Sequence, residues 1–431
     1  MADFDTLRIR AGYNSADHNY AVNVPIYQTA SFDLGSIDRA QSLWSMEEAA
    51  AIYTRVGNPT VDALEKRVAA LDGAYAAVAL ASGMAAISYT ILGLTVGGGN
   101  IVTTRALYGG SEDAFSHFLP KLGAEIKFVE DRFDIASFEK AIDENTRGIY
   151  IETISNPNAE IYDYEALSEL AHSHGIPLIV DNTVATPYLF QPFSHGADII
   201  VYSATKGLGG HGNTIAGLVL EKGDFVYSPE KFPHFYEDSY KIKDKAGNRR
   251  SVIDIDAKSP LIIYIRAFFL EFIGAALSPF DAFLILQGID TISERVAKQS
   301  ENAARIVDYL QTREEVAWVK HPTAKGSPFE SLKDKYFKKG AGNLLTFGFK
   351  GTEEQLNTFF NNLKYFSYHV NIGDVRSLIV NSPKTTHAEL DSKHLEDAGI
   401  AADTVRISAG LESAEDLIND LENAFNEAFS A

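Results

Sequence analysis

A chain of 431 residues, 45 % of them hydrophobic, is long enough to bury a large core and to divide into two domains. Its 38 Lys and Arg against 58 Asp and Glu leave a net charge of −20, which repels phosphate backbones and argues against a nucleic-acid partner. With no cysteine there can be no disulfide, thiolate metal site or thiol nucleophile, a composition compatible with a reducing cytoplasm.

The opening residues, MADFDTLRIR, carry acids and lack the apolar stretch of a secretory signal. A helix is predicted from Val61, because Val61, Leu64, Val68 and Leu71 share one face and Asn58 and Pro59 suit its N-cap and first turn. Seven short apolar runs then read as strands, at 76–82, 100–104, 124–129, 147–153, 176–181, 198–203 and 216–221. Nearly unbroken apolarity suits strands covered on both faces, so the expected fold class is α/β with a mostly parallel seven-stranded sheet. In such sheets ligands bind beyond the carboxyl ends of the strands.

Three segments lie at such ends. ASGMAA (81–86) puts small residues before a helical pattern, where free amides suit a phosphate. IPLIVDNT ends its apolar run in Asp181, which reads equally as a helix cap, a metal ligand or a catalytic acid. In VYSATKGLGGHG, Lys206 follows a buried-type strand between Ser203 and Thr205, and is either a solvated loop lysine or a Schiff-base amine. Gly207, Gly209 and Gly212 match G-x-G-x-x-G by count, but a strand rather than a helix follows, which speaks against a dinucleotide. His172 and His174 sit two apart in a helical pattern and face different ways, so no metal is expected.

Residues 225–260 read as a polar insertion loop with a basic cluster, KIKDKAGNRR. The apolar stretch 261–280 is interrupted by Arg266 and Glu271 and falls short of a membrane span. A helical pattern from Phe280 to Leu310 leads to a smaller α/β region with GNLLTFGF, TVRISAG and a final amphipathic helix.

YTRVGNPTVDALEKRVAALDG, ASGMAA, LYGG, SNPNAEIYD, DNTVATPY, YSATKGLGGHG and RISAGLE, in this order, resemble the pyridoxal-phosphate enzymes of cysteine and methionine metabolism, of fold type I. The resemblance implies that Lys206 carries pyridoxal 5′-phosphate, that Asp181 pairs with its ring nitrogen and that Tyr108 stacks on the ring and helps proton transfer. It implies a phosphate held by Gly83, Met84, Ser203 and Thr205, with Ser82 and Thr183 beside the cofactor and Tyr53 and Arg55 reaching it from a neighbouring subunit. Arg406 would take the substrate α-carboxylate, with Asn156, Asn371 and Thr386 nearby. Residues 1–60 would form an arm against the neighbour, 61–265 the cofactor domain and 266–431 the C-terminal domain of a homodimer or homotetramer.

Within the family, chain length, LSPFDAFLILQGIDTISERV and NIGD followed by SL and TTH are similar to the sulfhydrylase branch. The implied reaction replaces the acetate of O-acetylhomoserine by sulfide or methanethiol. A cystathionine or methionine γ-lyase and a cystathionine γ-synthase are the alternatives. Two departures, Asn381 in place of histidine and the SEDAF that follows the glycines of LYGG, are expected near the substrate.

Overall fold

The computed structural model describes the chain apart from Met1, Ala49, residues 386–394, Glu396 and Ala431. All seven predicted runs form strands: β1 (Ala76–Leu80), β2 (Asn100–Thr103), β3 (Glu125–Phe128), β4 (Thr146–Glu152), β5 (Leu178–Asp181), β6 (Ile199–Ser203) and β7 (Gly217–Glu221). They make one sheet in the order β1-β7-β6-β5-β4-β2-β3. The run β6-β5-β4-β2-β3 is parallel, and β7 lies antiparallel between β1 and β6.

The continuous apolarity has a direct cause. Successive strand side chains point to opposite faces, and each face is covered by its own core. Leu178 and Val180 of β5 join one cluster with Leu64 and Val68, while Ile179 between them joins the other with Ile87 and Ile91. The predicted helix is Pro59–Asp72, with Asn58 Oδ1 accepting the Thr60 N–H at 3.0 Å.

Residues 225–260 depart from the expectation of a polar loop. Tyr227, Phe232, Phe235, Ile242 and Val252 are buried in the second core, so the segment packs as part of the fold. The charges that interrupt 261–280 are also paired: Arg266 meets Glu65, and Glu271 lies 3.4 Å from Arg55 and 3.5 Å from Lys241. Among the described residues no helix is long and apolar enough to cross a membrane.

The long pattern from Phe280 to Leu310 is two helices, Pro279–Ile289 and Ile292–Leu310. Between them Asp290 takes an ion pair from Arg67 at 2.9 Å. A second sheet follows, with β8 (Val316–Lys320), β9 (Leu344–Phe349), β10 (Leu378–Asn381) and β11 (Thr404–Ser408) in the order β10-β11-β9-β8, all antiparallel. Val405 and Ile407 of β11 enter a third core with Leu345, Phe347, Leu417 and Phe425. Arg406 stands between them and therefore points off the opposite face.

Candidate active site

Because β4, β5 and β6 are parallel neighbours, their carboxyl ends meet, with Glu152 and Asp181 paired in register and Ser203 ending the next strand. Beyond them lies a cavity of about 430 Å³. Asp181 is buried at its edge, where Oδ1 accepts the Thr183 N–H at 3.0 Å and Oδ2 the Tyr150 hydroxyl at 3.1 Å. Burial pushes its carboxyl above the usual range against these hydrogen bonds. Among the described residues no cation pairs with it, so a ring N–H⁺ would supply its missing countercharge.

Lys206 enters the cavity from the turn after β6, where Ser203 O accepts its N–H at 3.1 Å. Its Nζ donates to Asn371 Oδ1 at 2.7 Å. Burial, and then the charge of Arg406, lower its pKa to about 8, while Asp374 pulls the other way. An amine in this state is available as a nucleophile or base near neutrality.

Arg406 is buried across the cavity and has no carboxylate partner among the described residues. Its Nη1 donates to Asn156 Oδ1 at 3.0 Å and its Nη2 to the Asn371 carbonyl at 3.2 Å. Burial lowers its pKa to about 10, which leaves it cationic at neutral pH. A buried guanidinium held only by neutral oxygens is prepared for an incoming carboxylate.

The helix Gly83–Leu94 starts at the cavity wall. Ser82 caps it, accepting the Ala85 N–H at 3.1 Å, and the first-turn amides of Gly83 and Met84 have no acceptor within the helix. A Cβ at Gly83 would lie 2.6 Å from Ser203 Cβ, so only glycine brings this helix end onto the strand end. Thr205 Oγ1 donates to Ala216 O at 3.2 Å, and Thr183 Oγ1 accepts the Ser203 N–H at 2.8 Å. Free amides at a helix N-terminus beside two hydroxyls form an anion cradle. Tyr108 borders the cavity, half exposed; a Cβ at Gly110 would lie 2.7 Å from its ring, which explains the glycine of LYGG.

Twelve of the expected residues thus surround one cavity. Tyr53 and Arg55 do not: they line a separate cavity of about 590 Å³ with residues 28–30 and 274–279, and the Arg55 guanidinium lies 5.1 Å from the Tyr53 ring centre. Thr386 falls outside the described residues. Asn381 and SEDAF do not line the cavity. Asn381 caps the turn Ser382–Lys384, and Glu112 is buried against Arg105.

Sequence reasoning missed Glu152 and Tyr150. For Glu152 the signal was the one used for Asp181, an acid ending an apolar run. It also missed Ile215 and Val370, exposed apolar residues on the cavity wall that no pattern singles out.

The family model for Cys/Met metabolism PLP-dependent enzymes matches residues 5–426. An O-acetyl-L-homoserine sulfhydrylase of Corynebacterium glutamicum is 39 % identical over 98 % of this chain and 96 % of its own. A sulfhydrylase of Fusarium oxysporum is 38 % identical over 100 % of this chain and 98 % of its own. The crystal structure of an O-acetylhomoserine (thiol)-lyase of Campylobacter jejuni, carrying a pyridoxyl-lysine monophosphate, superposes with a TM-score of 0.93 at 34 % identity, covering 99 % of this chain and 100 % of that one. The uncompensated carboxylate, the partly buried amine and the anion cradle fit pyridoxal phosphate, and the chain belongs to the Cys/Met metabolism PLP-dependent enzyme family.

Proposed function

We propose that the protein replaces the acetate of O-acetyl-L-homoserine by sulfide, giving homocysteine, with methanethiol as an alternative nucleophile giving methionine. The observation that carries this reading is the Lys206 Nζ, held at 2.7 Å by Asn371 between Asp181 and Arg406. The donor is supported by relatives named for it at 34–39 % identity over nearly the whole chain. Among the described residues Lys206 and Arg406 are the only cationic side chains on the cavity wall, which suits an uncharged acetyl group better than a succinyl or phosphoryl one.

Pyridoxal phosphate, when bound, supplies an electron sink for the charge left on Cα. Asp181 favours the protonated ring nitrogen. Gly83, Met84, Ser203 and Thr205 hold the phosphate, and Ser82 and Thr183 shape the cradle. Arg406, steadied by Asn156, binds the α-carboxylate and so aims the Cα–H at Lys206. The neutral Lys206 amine takes the α-proton, Tyr108 assists at the ring face, and a proton lost from Cβ lets acetate leave Cγ. Sulfide then bonds to Cγ, a proton returns to Cβ, and Lys206 returns a proton to Cα.

Tyr53 and Arg55, remote from their own chain's cavity, are proposed to complete the site of a second subunit in a dimer, itself paired into a tetramer. The cysteine-free composition supports a cytoplasmic protein.

A substrate panel tests the reaction: O-acetyl-, O-succinyl- and O-phosphohomoserine and O-acetylserine, each with sulfide, methanethiol or cysteine. Homocysteine and acetate from the first pair are expected to dominate. Ammonia and 2-oxobutyrate in excess at saturating sulfide would make the enzyme a γ-lyase, and cystathionine from cysteine would make it a γ-synthase.

A further inference from the structure

Glu152 is buried at the end of β4, beside Asp181 and on the cavity wall, and the reaction as derived gives it no task. Its two oxygens are divided between two loops: Oε1 accepts the Tyr108 N–H at 2.7 Å, and Oε2 accepts the Asn156 N–H at 2.9 Å. Tyr108 belongs to the loop after β2, and Asn156 to the loop after β4 itself. Asn156 in turn holds Arg406, which comes from the second sheet. One carboxylate therefore links the residue at the cofactor ring to the guanidinium expected to grip the substrate.

We propose that Glu152 is a positioning residue whose carboxylate sets the Tyr108 loop and the Asn156–Arg406 pair relative to one another, and so fixes where the substrate carboxylate is bound.

Only an acid can do this. Two converging N–H donors require two acceptor oxygens, and a glutamine offers one oxygen and an NH2 that would face a donor. The group is kept at a cost, since burial and the neighbouring Asp181 hold its carboxyl well above the usual range. Two backbone amides oppose that shift, as short hydrogen bonds to an anion do. A buried acid held beside a second acid in a cleft is more readily explained by work at the site than by stability.

The proposal rests on reading Arg406 as the carboxylate site, and the test separates the two. L-Norvaline, which has no leaving group, and n-butylamine, which is norvaline without its carboxylate, are titrated against holoenzyme through the cofactor's visible absorbance. Wild type is expected to prefer norvaline. In Glu152→Gln the ratio of norvaline to butylamine dissociation constants should rise about tenfold, the scale of one lost positioning hydrogen bond. The cofactor's visible circular dichroism should change as Tyr108 shifts. Glu152→Asp keeps two acceptor oxygens on a shorter arm and should fall between the two.

A wild-type preference that survives unchanged in Glu152→Gln overturns the proposal, whatever happens to thermal stability. No preference in wild type overturns the reading of Arg406 and this proposal with it. Failure of both variants to fold would make Glu152 a folding residue and likewise overturn it.

Discussion

Lys206 combines a partly buried amine with a pKa near 8 and a hydrogen bond from Nζ to Asn371, and its two charged influences have opposite signs. Removing the amine in Lys206→Ala should abolish the visible colour of the holoenzyme and cut turnover by about 10² to 10⁴-fold, as expected for loss of a proton-transfer group. A coloured, active variant would end the assignment. Asp374 favours the ammonium form, so Asp374→Asn should lower the Lys206 pKa further. The limb of kcat that rises with pH, as the amine becomes neutral, should then move to lower pH; movement to higher pH would contradict the electrostatics. Gly83→Ala places a Cβ against Ser203 at 2.6 Å, so it should weaken cofactor binding at least about tenfold. Equilibrium titration of apoenzyme with pyridoxal phosphate measures that loss.

Elements carry a pH dependence of their own. Asp72 ends the helix Pro59–Asp72 and is buried under β6, where Oδ2 accepts the Tyr202 hydroxyl at 2.8 Å and Oδ1 has no partner among the described residues. Burial pushes its pKa up to about 8, only partly opposed by Tyr202. An unfolded aspartate titrates near 4, so the folded chain binds the extra proton between about pH 4 and pH 8. The contribution is fully present below about pH 4 and is lost as pH rises through 8. Asp72→Asn mimics the neutral acid and removes the dependence, so wild type should lose several degrees of Tm against this variant from pH 5 to pH 8.5. Parallel melting curves would show that Asp72 stays ionised. The hydroxyl of Tyr202 also accepts from Asn182, the residue after Asp181, so the helix end and the site are tied through one buried network.

At the scale of the whole molecule, Arg55, Glu271 and Lys241 form a charged cluster with Tyr53 and Phe272 packed on its cations and exposed. If this face completes a neighbour's site, mixing Arg55→Ala with Lys206→Ala subunits should recover activity, because one hybrid site then contains both intact residues. No recovery in proven mixed dimers would mean that each chain builds its own site. The seven strands, the capped helix at Asn58 and the residues at strand ends were legible because they depend on period and neighbours: alternate side chains feed two cores, and an apolar run stops where a strand meets solvent or ligand. The same local signal covered Glu152, whose importance was hidden because its partners come from Tyr108 and Asn156, in two separate loops. The short apolar runs VAWV of β8 and LIV of β10 were passed over between polar and charged neighbours, and the aromatics of 225–260 were masked by surrounding charge. What only the tertiary structure decided is the non-local part: the strand order that seats β7 antiparallel, the approach of Arg406 to Asn156 across 250 residues at 3.0 Å, and the separation of Tyr53 and Arg55 from Lys206. The reason is physical. Pleat and helix period act over a few residues and are written in the chain, whereas the meeting of two sheets depends on how whole cores pack.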